Sequence, residues 1–236
     1  MKSKLKELLT TEWRFLLFKP VKPDMERLGY YYLGFGLVTA WLAGVGRYWD
    51  HPRALWWQYL GLGSVAYIIV LAAILWLILW PVRPLHWSYA SVLAFVGMTS
   101  PPALLYAIPV ERFVSMDTAA FLNMWFLGIV ACWRVALWFL YVKRSGRLHW
   151  FKALSITLLP LVIIVTSLTI LNLEHVVFDI MAGIRPENKS AGDGAYIVLF
   201  ILTYFSILAA PVLGICYVGT LISELNQRTR LEREAK

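Results

Sequence analysis

The sequence predicts an all-α, polytopic transmembrane helical bundle of about six spans, with both termini cytoplasmic and an N-terminal amphipathic interfacial helix. Three observations predict this fold class. Of the 236 residues, 60% are apolar and only 15% are charged, whereas soluble domains carry about 25% charged residues. Six stretches reach the roughly 20 apolar residues that a membrane-spanning helix needs. Lys and Arg are also distributed unequally between the two sides of these stretches.

The N-terminal arm, residues 1–28, is predicted to form the amphipathic helix. Its apolar residues recur at helical spacing, and they are Leu5, Leu8, Leu9, Trp13, Leu16 and Leu17. Lys2, Lys4 and Lys6 lie near this face, so we expect the helix to lie on the cytoplasmic surface with its bases near anionic lipid headgroups. Pro20 and Pro23 end the helix before the first span. Docking of a protein partner on this arm is the alternative.

Six spans follow, within residues 29–222. Their predicted ranges are Gly29–Gly46, Trp56–Pro81, Trp87–Ile108, Thr118–Val142, Lys152–Leu173 and Ala195–Ile222. The connections are too short to hold a soluble domain, so residues 1–236 are expected to form a single integral membrane domain. Residues 223–236 complete it as a basic cytoplasmic tail.

The distribution of Lys and Arg predicts the orientation. With the N-terminus inside, 16 of the 22 Lys and Arg residues lie on inside segments, 5 lie outside, and Arg134 lies within the fourth span. This bias follows the positive-inside rule. We expect the chain to lie in a bacterial inner (plasma) membrane, with both ends inside. The excess of Lys and Arg on the inside segments accounts for the net charge of +8. No nucleic-acid partner is therefore expected.

Small residues and prolines indicate how the spans pack. Gly36, Ala40 and Gly44 form one small-residue face in the first span, which lets another helix approach closely, either within the bundle or in a homo-oligomer. Prolines also interrupt three spans, namely Pro101 and Pro102 in the third, Pro160 in the fifth and Pro211 in the sixth. We interpret them as plain kinks. Broken helices that line a transport site are the alternative.

Arg134 is the one charged residue deep within a predicted span. An arginine at that depth costs about 2.5–3.5 kcal/mol on insertion scales, and no acidic residue is predicted near the midplane. We expect Arg134 to snorkel inward, or to bond hydroxyls and freed carbonyls such as that of Ile156. Structural anchoring is the favoured interpretation, and contact with an anionic headgroup or substrate is the alternative. The lack of embedded carboxylates disfavours a proton-driven carrier.

Polar side chains of the kind that bind neutral solutes also fall within the predicted spans. They are Thr99, Ser100, Asn123, Thr166 and Tyr204. The outer loops hold a denser polar group, composed of Asp50, His51, Glu111, Glu174, His175 and Asp179. Histidines and carboxylates that converge can do acid–base chemistry, which makes His51, Glu174, His175 and Asp179 catalytic candidates. Because loop residues are usually just solvated and no metal motif is present, no metal site and no cofactor are predicted.

Part of the chain resembles the Yip1-like polytopic membrane proteins. The residues concerned are Ser100–Pro109 (SPPALLYAIP), the Trp133-Arg134 pair in a span closed by Lys143-Arg144, and Ala153–Pro160. Together they lie within residues 100–163, about a quarter of the chain. The resemblance implies a helical membrane domain without enzyme activity, linked in eukaryotic members to membrane traffic. Five spans are common in that family, whereas six are predicted here.

Three functions are compatible with these observations. The first is a non-enzymatic integral membrane protein that organises or assists a membrane complex. The second is a transporter or channel for a small neutral or anionic solute, which depends on Arg134 and the prolines. The third is a membrane enzyme that uses the outer-face histidines and carboxylates. The expected partners are the lipid bilayer and anionic headgroups, with a protein partner or a second copy of the chain as further candidates.

Overall fold

A computed structural model of the chain describes residues 2–21, 25–48, 55–80, 88–145, 149–173 and 193–234. These residues are predominantly helical and include no strand, so the predicted all-α fold is confirmed. The helices are α1 (Lys2–Leu16), α2 (Met25–Tyr48), α3 (Trp56–Tyr59), α4 (Leu62–Leu79), α5 (Tyr89–Met98), α6 (Met116–Ser145), α7 (Trp150–Ile170) and α8 (Asp193–Glu234). Two 3₁₀ segments, Pro101–Ala107 and Val110–Arg112, connect α5 to α6.

Five of the described helices contain a window that is long and apolar enough to cross a bilayer. These windows are Arg27–Tyr48, Leu62–Leu79, Phe121–Arg144, Trp150–Ile170 and Val198–Ser223. The pair Tyr89–Met98 and Pro101–Arg112 passes the same test jointly but is bent by 48° at its junction. The described part of the chain therefore has five helices of spanning length, or six spans if the bent pair is one. That pair corresponds to the predicted third span.

The proline residues differ in their effect. Pro160 lies inside α7 and Pro211 inside α8, and both helices continue past them. At Pro101 and Pro102, by contrast, α5 has already ended at Met98, so the interpretation of this site as a plain kink is wrong. Two consecutive prolines remove two backbone N–H donors, whereas a single proline removes one.

Helix α2 lies directly against the bent pair. A Cβ on Gly36 would overlap the backbone of Gly97 in α5, so at this point the two helices touch through their main chains. One turn before the C-terminal end of α2, Gly44 faces Gly61, and a Cβ there would lie 3.0 Å from the Gly61 Cα. Gly61 itself has φ +65°, a left-handed conformation that favours glycine. Ala40, between Gly36 and Gly44, is buried in the main apolar cluster.

Helix α1 packs onto the bundle through one face and ends in a clamp formed by α6. Leu8 is buried in a cluster with Leu28, Tyr32 and Met98. The Trp133 indole Nε1 donates to the Leu16 carbonyl at 2.9 Å. Arg144 adds Nη2 to the Phe18 carbonyl at 3.1 Å and Nη1 to the Lys19 carbonyl at 3.4 Å. The first bond satisfies a carbonyl that the helix C-terminus leaves without an intrahelical donor, and the other two hold the residues just beyond it.

Candidate anion-binding site

The break after α5 leaves the buried carbonyl of Thr99 without a backbone donor. The amide of Ala103 donates to the Ser100 carbonyl at 2.9 Å, so it does not serve Thr99. The next candidate donor for the Thr99 carbonyl is residue 102, which is a proline and has no N–H. Thr99 and Ser100 are 4% and 0% exposed, so this oxygen lies inside the protein. Buried backbone groups of this kind must find a partner elsewhere.

Arg134 of α6 supplies that partner. Its Nε donates to the Thr99 carbonyl at 3.0 Å. A freed carbonyl was expected for Arg134, but Ile156, one turn before Pro160, was the wrong location. The prolines at residues 101 and 102 remove two consecutive N–H donors, whereas a single proline within a continuous helix removes one. Arg134 lies about 20 Å along α6 from Phe121 and about 15 Å from Arg144 at 1.5 Å per residue, near the middle of the apolar window.

Two tyrosines and a second arginine complete the site. The Arg134 Cζ lies 5.7 Å from the centroid of the Tyr67 ring, and the Arg47 Cζ lies 5.3 Å from that of Tyr106. The Tyr106 phenol is within electrostatic reach of Arg134, Arg47 and Tyr67. These four residues form the arginine–tyrosine cluster. It extends from the last turn of α2 to the middle of α6.

The cluster offers several hydrogen-bond donors to a ligand. Among the described residues, the Nη groups of Arg134, the Arg47 guanidinium and the hydroxyls of Tyr67 and Tyr106 have no hydrogen-bond partner. Guanidinium groups match carboxylate and phosphate oxygens with paired N–H donors. In a medium of low dielectric constant, such interactions are stronger than in water. The cluster therefore has the donors and the charge that an anion requires.

One acidic residue moderates the positive charge. Glu111 lies within electrostatic reach of Arg47. The Asn123 side-chain amide donates to Glu111 Oε1 at 2.7 Å, which fixes one carboxylate oxygen. Because the cluster holds two guanidiniums and Glu111 carries one carboxylate, the local charge stays positive.

The other residues singled out in the sequence are placed as follows. Thr99 contributes its carbonyl to the site, and Asn123 contributes by its hydrogen bond to Glu111. Ser100 is fully buried. Tyr204 is 55% exposed and stacks on Phe200. The catalytic candidates His51, Glu174, His175 and Asp179, and also Asp50, lie outside the described residues. Within the described part, no group of three or more His, Cys, Asp or Glu side chains is placed to hold a metal ion.

Sequence reasoning missed three members of the cluster. Arg47 was assigned to an outer loop, whereas α2 continues to Tyr48 and carries Arg47 in its last turn. Tyr67 and Tyr106 were not singled out, because aromatic rings are common in membrane helices and no local pattern distinguishes these two. The proline pair was the available signal, since it marks where a buried carbonyl needs a donor.

Comparisons with protein-family models, curated proteins and solved structures gave no match. The resemblance of residues 100–163 to the Yip1-like proteins stays a prediction. Function must therefore be argued from the geometry of the site.

Proposed function

We propose that this chain is a non-enzymatic integral membrane protein that serves as a transporter or channel for a small anionic solute. The observation that carries the proposal is the pair of guanidiniums, Arg47 and Arg134, which both lie within electrostatic reach of Tyr106 and have unpartnered donors beside a broken helix. An arginine within a membrane segment is costly and is usually functional. Broken helices at mid-membrane depth form binding sites in many transporters.

The chemistry of the cluster favours a carboxylate or a phosphate group as the ligand. The Nε of Arg134 donates to the Thr99 carbonyl, which leaves its two Nη groups available to a ligand. Arg47 would bind the same anion from the rim, and the Tyr106 hydroxyl would donate a further bond. The anion would then enter at the rim, beside Arg47, and move to the middle of the bundle, beside Arg134.

The orientation and surroundings of the chain are part of the proposal. The bias of Lys and Arg supports cytoplasmic termini in a bacterial inner membrane, which makes Arg47 the outer end of the cluster. In α1, the side chains of Leu5, Leu9 and Trp13 are 58%, 46% and 65% exposed. Lys4 lies beside Tyr31, with its Nζ 5.6 Å from the ring centroid. These exposures support an interfacial arm in contact with anionic lipid.

Binding of simple anions tests the proposed function. Purified protein in detergent is titrated with acetate, succinate, sulfate or inorganic phosphate at constant ionic strength, and its thermal unfolding is followed. At least one anion should raise the midpoint in a saturable way, since a ligand that binds only the folded state stabilises it. Arg47→Gln and Arg134→Gln should each weaken binding at least tenfold. Efflux of the same anion from proteoliposomes then tests transport.

Arg14→Gln is the matched control for these variants. Arg14 is exposed on α1, so its removal lowers the net charge equally without touching the cluster. No saturable effect of any of the four anions, or equal binding by wild type and both cluster variants, would overturn the proposal. Binding without efflux would retain the anion site and reject the transport role.

A second candidate function is the organisation of a membrane complex. This candidate is supported by α8, which leaves most of its apolar window uncovered by the rest of the chain. That window is 11% buried, compared with 39% for the window of α2 or of α7. Copurification in a mild detergent tests it, and a solitary monomer that transports an anion would reject it. The third function, an outer-face enzyme, depends on residues outside the described ranges and stays a prediction.

A further inference from the structure

Glu12 in α1 is a buried carboxyl group that the proposed anion site does not use. The residue is 3% exposed. Within the described residues, neither of its carboxylate oxygens has a hydrogen-bond partner. A buried ionised carboxylate without a partner is strongly disfavoured, and such a group normally takes up a proton instead.

The position of Glu12 is fixed by the residues one turn away on the same face of α1. Leu8, four residues earlier, packs against Leu28 of α2 and Met98 beyond it. Phe15, three residues later, meets Phe95 of α5 edge-on with ring centroids 5.7 Å apart. Residues three and four apart share a helix face, so Glu12 lies between these two apolar contacts.

Charged groups on the surrounding elements are engaged elsewhere. Arg27 of α2 pairs with Glu7, with Nη2 2.5 Å from Oε1. On α6, Arg134 binds the Thr99 carbonyl, Arg144 binds the end of α1, and Lys143 lies over the Phe139 ring. The other titratable groups around this face are Tyr32 of α2, Tyr89 of α5 and Tyr141 of α6. None of them is a hydrogen-bond partner of Glu12.

Burial alone therefore sets the protonation of this carboxyl group. It raises the pKa of Glu12 to about 8, so the docked helix carries a neutral carboxylic acid at pH 7. A solvated glutamate has a pKa of about 4.5 and is ionised at that pH. Docking of α1 must then be accompanied by proton uptake.

We propose that Glu12 is a proton-binding site that couples the docking of α1 on the bundle to pH. When α1 docks, the carboxylate takes one proton from water and becomes a neutral acid in the apolar face. When α1 leaves the bundle, the same proton returns to water. The proton thus favours the docked arm, and the inference does not depend on anion binding.

The sign of the pH dependence follows from linkage. The docked state binds more protons than the released state between pH of about 4.5 and about 8, so docking weakens as the pH rises through this window. The docking equilibrium changes by about tenfold per pH unit for one proton. Below this window both states are protonated, and above it both are ionised, so the dependence ends on each side.

Hydrogen exchange of the whole protein in lipid nanodiscs tests the proposal. Amide protection of residues 2–16 is measured at pH 5.5, 6.5 and 7.5 after correction for the intrinsic effect of pH on exchange. The protection of α1 should fall by about a hundredfold across these two units, while that of α7 stays constant. Wild-type α1 whose protection does not change with pH would contradict the proposal.

Variants at Glu12 identify the group that titrates. In Glu12→Gln and Glu12→Leu the side chain cannot ionise, so α1 should stay protected throughout the range. Glu7→Gln removes the other carboxylate of the same helix. Because Glu7 pairs with Arg27 of α2, this variant should dock more weakly at every pH but should retain the wild-type pH dependence. A pH dependence that persists in both Glu12 variants, or is lost in Glu7→Gln, would assign the effect to another group and overturn the role of Glu12.

Discussion

Arg134 donates from Nε to the Thr99 carbonyl at 3.0 Å, and this carbonyl lacks a backbone donor because residue 102 is proline. A side chain of α6 thus substitutes for a missing main-chain donor in the bent pair. The bond holds the end of α5 against α6 and also orients the arginine. The same guanidinium lies over the Tyr67 ring, with its Cζ 5.7 Å from the ring centroid.

A first prediction concerns this bond. Arg134→Gln should lower the free energy of unfolding by about 1–3 kcal/mol, because it leaves a buried acceptor unsatisfied. Pro102→Ala restores an N–H near the Thr99 carbonyl, so the same arginine substitution should cost less in that background. A double-mutant cycle with unfolding measured in detergent gives the coupling. Strictly additive effects of the two substitutions would show that the missing donor is not the reason for the bond.

A second prediction concerns the clamp on α1. Trp133→Phe keeps an aromatic ring beside Phe18, at 6.1 Å between centroids in the native protein, but loses the N–H that binds the Leu16 carbonyl. The loss of about 1 kcal/mol should raise release of the arm about fivefold. Trypsin cleavage after Arg14, which is exposed on α1, should accelerate in proportion. Trp125→Phe, at a 54% exposed position of the same helix, should leave the cleavage rate unchanged.

The glycine contact between α2 and α5 yields a third prediction. Gly36→Ala should destabilise the protein by about 1–3 kcal/mol, since the new methyl group would overlap the main chain of Gly97. Gly34→Ala has no atom within 4 Å of the new Cβ and should be neutral or stabilising. Gly97→Ala adds a Cβ at 3.6 Å from the Gly36 Cα, an ordinary contact. Thermal unfolding should rank Gly36→Ala as the least stable; equal midpoints for Gly36→Ala and Gly34→Ala would refute the close approach.

The fourth prediction concerns the contact between α8 and α4. The Tyr217 hydroxyl donates to the Ile78 carbonyl at 2.5 Å. Tyr217→Phe should cost about 1 kcal/mol, which is the usual net value of one hydrogen bond. Tyr204→Phe on the same helix, at a 55% exposed position, serves as the matched control. Denaturant unfolding in mixed micelles measures both, and an equal effect of the two would remove Tyr217 as a link between these helices.

The architecture was predictable because hydropathy and helix length are properties of continuous stretches of sequence. Five windows of spanning length lie within or close to five of the predicted spans. The remaining predicted span, the third, coincides with the bent pair. The bend was only partly predictable. Pro101 and Pro102 marked the place, but whether a proline kinks or ends a helix depends on which groups replace the lost donors. That replacement is Arg134, more than 30 residues away in sequence.

The site was less predictable because it depends on contacts between distant segments. Arg134 stood out by its charge within an apolar stretch, whereas Arg47 looked like a loop residue until α2 proved to extend to Tyr48. Glu12 carried a local signal that was overlooked, since it lies four residues after Leu8 and four before Leu16 on the buried face of α1. The two tyrosines had no such signal. Only the fold brings them to the arginines.

Trp133 and Arg134 are consecutive residues, and each bonds to a carbonyl at an interrupted segment: Leu16 at the end of α1, and Thr99 at the break after α5. Neighbouring positions on a helix point about 100° apart, so one helix holds two partners on different sides. Any turn of α6 about its axis displaces both bonds together. The N-terminal arm and the bent pair already pack on each other through Phe15 and Phe95. Rotation of α6 would therefore couple them a second time, through the bonds to Leu16 and Thr99.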